Sequence, residues 1–339
     1  MTRPPHLPPG GAAAPSSAPR LLDVEDAPPG TFGELEPSAP PLTDAQGRLR
    51  LSFSRIDRYR TCPRSFRYRY LDRLPEQPSP HLSFGSSVHA ALEAYHDHPG
   101  HDEVPGGQPD VQVLLDALYA HWDRSGYADR PRDEQVRAYR QAQEVLRRYH
   151  DRGPLAGRRV VATEAWFEVP FAYEAVVVGS IDRVDLDENG DLHVVDYKTS
   201  RRARPRAEVA ASLQLSLYAL ACRTLYGRLP ATVALDFVVP GVTVAVETSE
   251  LDLDGARQAV LDTAAQIRAE RFPATPNRLC DWCDHRAVCP AWSTTGADVY
   301  AELVAEAAAR RRRLTAEVRE LRELEAGLKR LAGDLELDR

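Results

Sequence analysis

Residues 179–200 read GSIDRVDLDENGDLHVVDYKTS: two carboxylates and an amine, Asp182, Asp196 and Lys198, on two apolar runs joined by a turn. A two-residue Asn189-Gly190 loop pairs Asp182 with Tyr197 and turns Asp196 to the other side. A three-residue loop, Glu188-Asn189-Gly190 with a left-handed glycine, pairs Asp182 with Asp196 and brings Lys198 out on the same face. Two acids placed directly opposite repel, so that register needs a compensating charge. A divalent cation supplies it, and hard oxygen ligands suit Mg²⁺ or Mn²⁺. An ammonium beside such an ion could orient or deprotonate a water and stabilise charge on a phosphate. The competing reading is an exposed hairpin with scattered acids, Asp185, Asp187 and Asp191 among them, and both readings stand at this point.

The second cluster with chemical potential is CDWCDHRAVC, which carries Cys280, Cys283 and Cys289. Three thiolates are one short of a tetrahedral or cubane set, and Cys62, in a Cys-Pro turn far upstream, is the natural fourth. Zinc could take Cys62, Cys280, Cys283 and either Cys289 or His285. The fifth cysteine, Cys222, falls in a helical apolar run and reads as a small buried residue. Five cysteines so distributed suit a metal or cluster site in a reducing cytoplasm better than a disulfide framework.

The segment 55–73 interleaves arginines, among them Arg55, Arg58, Arg64 and Arg67, with Tyr59, Phe66, Tyr68 and Tyr70. That alternation suits a groove that follows a single strand by pairing phosphates and stacking bases, and SRRARPR at 200–206 adds a second basic patch.

Positioning these groups requires a sizeable fold. The chain has 339 residues, 43% hydrophobic and 27% charged, with a formal net charge of -7, which excludes a globally basic coat but not a local basic channel. No run of about eighteen apolar residues occurs, and the first residues lack the pattern of a secretory signal. Residues 1–46, rich in Pro, Ala, Ser and Gly, read as a disordered leader, 47–295 as one folded domain and 296–339 as a C-terminal helical segment. Helices are expected over 84–96, with Val88, Leu92 and Tyr95 inward, and over 111–122 and 132–151. Strands then cover the stretch from about 158 to 199. A helix at 208–227 faces Val209, Leu213, Leu217 and Leu220 inward, a strand hairpin follows, and a helix at 253–270 precedes the cysteines. The last segment places Leu314, Leu321, Leu324, Leu328, Leu331 and Leu335 at near-heptad spacing, either to dock a partner or second copy or to pack back on the domain. The order of elements gives an α/β domain with a mixed sheet.

In that order, over roughly residues 50–292, the chain resembles the RecB-type nucleases of the PD-(D/E)xK superfamily. GSIDRVD resembles the metal-aspartate motif and VVDYKTS the (D/E)xK motif, QLSLY resembles QxxxY, and FGSSVHAALEAYH resembles the helix whose histidine joins the metal. The resemblance implies a restriction-endonuclease-like core, a central mixed sheet flanked by helices. It implies Asp182, Asp196 and His89 as metal ligands, Lys198 as catalytic lysine, and Gln214 and Tyr218 as catalytic residues facing a DNA strand. Glu164 is a further acid that either joins the site or is structural. The four cysteines resemble the iron–sulfur subgroup, including AddB-like and CRISPR-associated relatives, in which a [4Fe–4S] cluster staples the ends of the domain together. The function implied is a metal-dependent DNA exonuclease or endonuclease of repair or recombination, acting on single-stranded ends or flaps. The alternative is a cluster- or zinc-stapled DNA-binding subunit, without cleavage, of a helicase–nuclease or CRISPR adaptation complex. No G-x-x-x-x-G-K-[ST] sequence occurs, so unwinding would need a separate helicase partner.

Overall fold

The computed structural model describes residues 41–101, 108–155, 157–171, 174–292 and 296–337. Of the expected leader, residues 1–40 lie outside the described residues. Residues 41–46 belong to the fold, since Thr43 bridges to Leu49 and Asp44 pairs with Arg48. The chain is built from strands β1 (Leu49–Leu51), β2 (Arg158–Phe171), β3 (Ala175–Asp187), β4 (Leu192–Lys198), β5 (Thr232–Phe237) and β6 (Val242–Glu247). The helices are α1 (Phe53–Thr61), α2 (Pro63–Phe66), α3 (Pro80–His96), α4 (Val111–Ala120), α5 (Arg132–Asp151), α6 (Arg206–Ala210), α7 (Leu213–Tyr226), α8 (Leu253–Arg268) and α9 (Gly296–Leu337). Among the described residues no helix is long and apolar enough to cross a membrane.

The strands make one mixed sheet. β3 runs antiparallel to β2 and β4, β4 parallel to β5, and β5 antiparallel to β6. β1 lies parallel to β3 at residues 175–177, along the edge that β4 takes at 183–186. Between those stretches, residues 178–181 of β3 pair only with β2, and Asp182 has no strand partner in the register. The sheet is therefore slit beside Asp182. α1, α7 and α8 pack on one face around Leu51, Ile181, Val194, Leu217, Val233 and Phe237. α3, α4 and α5 cover the other face around Leu92, Leu118, Leu146, Val195 and Tyr197.

The reasons are local. α3 begins at Ser79, whose side chain accepts from Leu82 N, and its stripe of Val88, Leu92 and Tyr95 is fully buried. Each such side chain is worth roughly 1.5–3 kcal/mol of burial. The single helix expected over 208–227 is two: Ser212 caps a new start by accepting from Leu215 N, so the chain breaks between α6 and α7. Leu213 then begins α7 half-buried against the core, and Gln214 falls in the first turn. Among the described residues, α9 packs through Tyr300, Leu303, Val304 and Ala307 against Tyr68, Leu74 and Val288. Further on, Val318, Leu321 and Leu324 are exposed, so this stretch does not fold back on the domain.

Candidate active site

The turn after β3 has the three-residue form. Asp187 N donates to Asp191 O at 3.1 Å, Gly190 N donates to Asp187 O at 3.0 Å, and Gly190 has φ +80°. Asp187 Oδ1 accepts from the backbone of Asn189 and Asp191, which is the asparagine-and-aspartate turn chemistry the sequence advertises. The ladder Leu186↔Leu192, Asp185↔His193, Val184↔Val194 and Arg183↔Val195 follows, and the next pair in that register is Asp182 with Asp196. No ladder bond forms there. Asp182 Oδ2 instead accepts from Tyr197 N at 2.7 Å, so the carboxylate itself bridges the slit.

Both neighbouring strands are irregular at this level. Ile181 and Val184 face the same core, as do Ala165 and Ala162, so inward parity slips by one residue on β3 and on β2. Glu164 sits in the slip on β2 with φ +40°, a left-handed conformation that strains any residue but glycine. This irregular level brings Glu164, Asp182 and His89 together, with one nitrogen or oxygen of each within 4.8 Å of the others. His89 Nδ1 lies 3.5 Å from Asp182 Oδ2. Burial holds the His89 pKa below its ordinary value, so the ring is neutral and able to ligate. Burial, and then the charge of Asp196, push the Asp182 carboxyl well above the usual range. That is the signature of acids crowded without a cation.

Asp196 is 1% exposed and turns to a different partner. Lys198 Nζ lies 2.6 Å from its Oδ2, yet that oxygen has no hydrogen bond, so the contact is ionic and poorly aligned. Gln214 joins the two: its Oε1 accepts from Lys198 Nζ at 2.9 Å and its Nε2 donates to Asp196 Oδ1 at 2.7 Å. The same Nε2 donates to Tyr218 Oη at 2.9 Å. Tyr218 is 6% exposed beneath Phe167, and burial followed by the charges of Asp196 and Asp182 pushes its phenol well above its ordinary pKa. The structure thus gathers every metal and catalytic residue read from the sequence, with two differences in detail. Glu164, left open from sequence, stands in one compact cluster with His89 and Asp182, while Asp196 is engaged by Lys198. Gln214, half-buried, organises the pair through both ends of its amide, with Tyr218 bonded to it from behind.

The arginine-rich segment runs from α1 through the short α2 into a π-helical turn, Arg67–Leu71. Arg55 corrects the expectation of strand contact. It is 5% exposed, its Nη1 donates to Arg50 O, and its guanidinium lies over the Tyr70 ring, because a buried cation has to be satisfied internally. Arg58 pairs with Glu76 and Arg67 with Asp72, both remaining partly exposed, and Arg64 lies 5.9 Å over Tyr68. In the patch after β4, Arg201, Arg202 and Arg204 are exposed.

The cysteine-rich turn is tied to the N-terminal helices on all sides of Cys62. Arg64 N donates to Pro273 O, Asn277 Nδ2 to Thr61 O, Tyr59 Oη to Arg271 O and Tyr68 Oη to Val288 O. All five cysteines are free, and Cys62, Cys280, Cys283 and Cys289 are half-buried. Burial raises the Cys283 thiol pKa, a backbone hydrogen bond at His285 lowers it, and Cys289, Cys62 and Cys280 raise it further. His285 is buried against Tyr68, burial holds its pKa below the ordinary value, and its Nε2 has no hydrogen-bond partner among the described residues.

A model of the PD-(D/E)XK nuclease superfamily matches residues 50–290. Gene 69 protein of Mycobacterium phage L5 is 26% identical over 295 residues, 74% of this chain and 99% of that protein. A crystal structure of SSO0001 aligns with 71% of this chain and 94% of its own at 16% identity and a TM-score of 0.31. The match runs from β1 through the last of the clustered cysteines and includes the slit in the sheet with its acids and lysine: the chain belongs to the PD-(D/E)XK nuclease superfamily.

Proposed function

We propose that this protein is a RecB-type deoxyribonuclease that hydrolyses phosphodiester bonds at single-stranded DNA ends or flaps during repair or recombination. The observation that carries this reading is the convergence of His89, Glu164 and Asp182 beside the Asp196–Lys198–Gln214 cluster. Nucleases of this superfamily use Mg²⁺ or Mn²⁺, and the donor set fits such an ion. It offers carboxylate oxygens with one neutral imidazole, and Asp196 Oδ2 is buried without a hydrogen bond. His89, Glu164, Asp182 and Asp196 would hold the ion. When bound, the ion supplies Lewis-acid stabilisation of the phosphate and eases deprotonation of water. Lys198, fixed by Gln214, presents an ammonium where charge gathers on the phosphate. Water adds a P–O bond as the bond to the sugar oxygen breaks, leaving a phosphate monoester and a hydroxyl, with one proton released. Tyr218 stays neutral and donates no charge of its own. Asp196→Asn is expected to abolish cleavage of labelled single-stranded DNA in Mn²⁺ while its circular dichroism matches wild type. Wild-type cleavage in EDTA, or full activity of the variant, would sink the reading.

The four cysteines are proposed to hold a [4Fe–4S] cluster that fastens the N-terminal helices to the C-terminal turn. What supports a shared four-cysteine guest is that the segment carrying Cys280 and Cys289 is tied to the helices flanking Cys62 by the Asn277–Thr61 and Tyr68–Val288 hydrogen bonds. Anaerobic purification with iron, sulfide and zinc analysis tests this, and stoichiometric zinc without iron would refute it. A separate helicase or recombination partner, and action in the cytoplasm, complete the proposal.

A further inference from the structure

The aspartate motif GSIDRVD contains two charged residues that the metal site does not use, Arg183 and Asp185, and the fold buries both, at 3% and 0% exposure. They lie on the face of the sheet away from Asp196, beneath α3 and α5. Arg183 Nε is 2.9 Å from Asp185 Oδ1. Arg183 Nη1 donates to Tyr149 Oη at 2.8 Å and to Tyr197 Oη at 2.9 Å, and the two phenols share a 3.0 Å hydrogen bond. His96 Nε2, 2.7 Å from Tyr149 Oη, closes the group, and the Arg183 guanidinium also stacks over the Tyr197 ring. Burial pushes the Tyr149 pKa up to about 12 and that of Tyr197 well above its ordinary value, so both phenols keep their protons.

The placement of this group gives it a consequence. The β3–β4 ladder ends at Arg183↔Val195, one residue short of Asp182 and Asp196. Beyond it no ladder bond sets the gap between the strands that carry the two acids. What spans the gap is Tyr197: its N–H donates to Asp182 Oδ2 and its phenol is fixed from behind by Arg183. Tyr197 also lies between Asp196 and Lys198 in sequence, and its ring meets His89 edge-on at 6.0 Å. We infer that Tyr197 is a positioning residue: clamped by Arg183, it sets the separation of Asp182 from Asp196 and thereby the fit of the divalent cation. The inference rests on the metal reading given above. Mg²⁺ demands near-ideal octahedral geometry, so a site spaced by one side chain should be sensitive to that side chain's loss.

The test uses the full chain and Tyr197→Phe, which keeps the ring contacts and removes only the hydroxyl. Without DNA, free Mn²⁺ is titrated by electron paramagnetic resonance, and amide exchange is followed in peptides spanning residues 195–199. The clamp predicts about tenfold weaker Mn²⁺ binding and faster exchange of the Tyr197 amide, with a smaller effect from Tyr149→Phe, which leaves the Arg183–Tyr197 bond in place. A purely structural role would lower the melting temperature of Tyr197→Phe while leaving both readouts at wild-type values, and that result overturns the inference. If wild type itself binds no Mn²⁺, the metal reading fails, and the amide exchange alone then decides whether the clamp exists.

Discussion

Lys198 gives the sharpest test of how the site is balanced before a cation arrives. Its ammonium is the counter-charge for Asp196, whose side chain is 2% exposed while that of Lys198 is 30% exposed. Removing one partner of a wholly buried ion pair costs about 3–5 kcal/mol, because the other charge is left uncompensated. Water reaches Lys198, so about half that, roughly 2 kcal/mol, is expected for Lys198→Met in EDTA. For a domain of this size that corresponds to a fall of about 4–8 °C in melting temperature. A divalent cation then replaces the lost positive charge. At a concentration a hundredfold above its dissociation constant a ligand stabilises by about 2.7 kcal/mol. In wild type part of this gain is offset by repulsion between the ion and the ammonium, a term the variant lacks. Thermal unfolding of both proteins in EDTA and in Mn²⁺ should therefore show a lower starting point and a larger metal-induced rise for Lys198→Met, together with loss of cleavage. If the variant melts with wild type in EDTA, or Mn²⁺ raises wild type by as much or more, then Lys198 is not the standing counter-charge and the reasoning fails.

Other predictions follow from neighbouring atoms. Glu164→Gly relieves a left-handed backbone at a residue that contributes a ligand, so the fold should gain about 1 kcal/mol by chemical denaturation while cleavage falls at least tenfold. The Asp182 carboxyl, held well above its ordinary pKa by burial and by Asp196, gives a signed pH effect in the metal-free protein. A raised acid contributes stability at low pH that is lost as pH rises from its unfolded value, about 4, through its folded value. Asp182→Asn should therefore be more stable than wild type at pH 8 in EDTA, with the difference vanishing towards pH 4, as urea titrations would show. Asp185→Ala strands the Arg183 cation and should cost about 3–5 kcal/mol, far more than Asp187→Ala at the exposed turn.

How much of this was legible beforehand depends on how local the determinants are. Residues 187–191 fix their own loop through Asp187 and a left-handed Gly190, so the register that sets Asp182 across from Asp196 could be read as one of two discrete options. The stripe Val88, Leu92, Tyr95 was equally plain, because helical period and burial coincide. The break before α7 was carried by a single hydroxyl, Ser212, inside an otherwise helical pattern, and periodicity does not resolve one cap. The bonding of Gln214 to Asp196 and the burial of Arg55 depend on partners distant in sequence or on ring faces that only packing creates. Glu164 is the instructive intermediate. Its type was visible, but its membership of the site is decided by a one-residue slip that β2 shares with β3, and strand alternation predicts the opposite facing on one side of any such slip. Asp185 could be taken for a surface charge for another reason: alternation from Arg183 to Asp187 is regular, and what buries Arg183 and Asp185 is the packing of α3 and α5 over that face, through His96 and Tyr149. Counted from the turn it belongs with Asp187, at the exposed end of the hairpin, whereas the packed sheet sets it with Arg183 and Tyr197 behind the catalytic strands. In this fold the departure from regular β geometry creates the site: it opens the slit, aims Glu164 and leaves the Tyr197 N–H to bridge to Asp182, which is why mutation at the irregular positions should move metal binding more than mutation along the regular ladder.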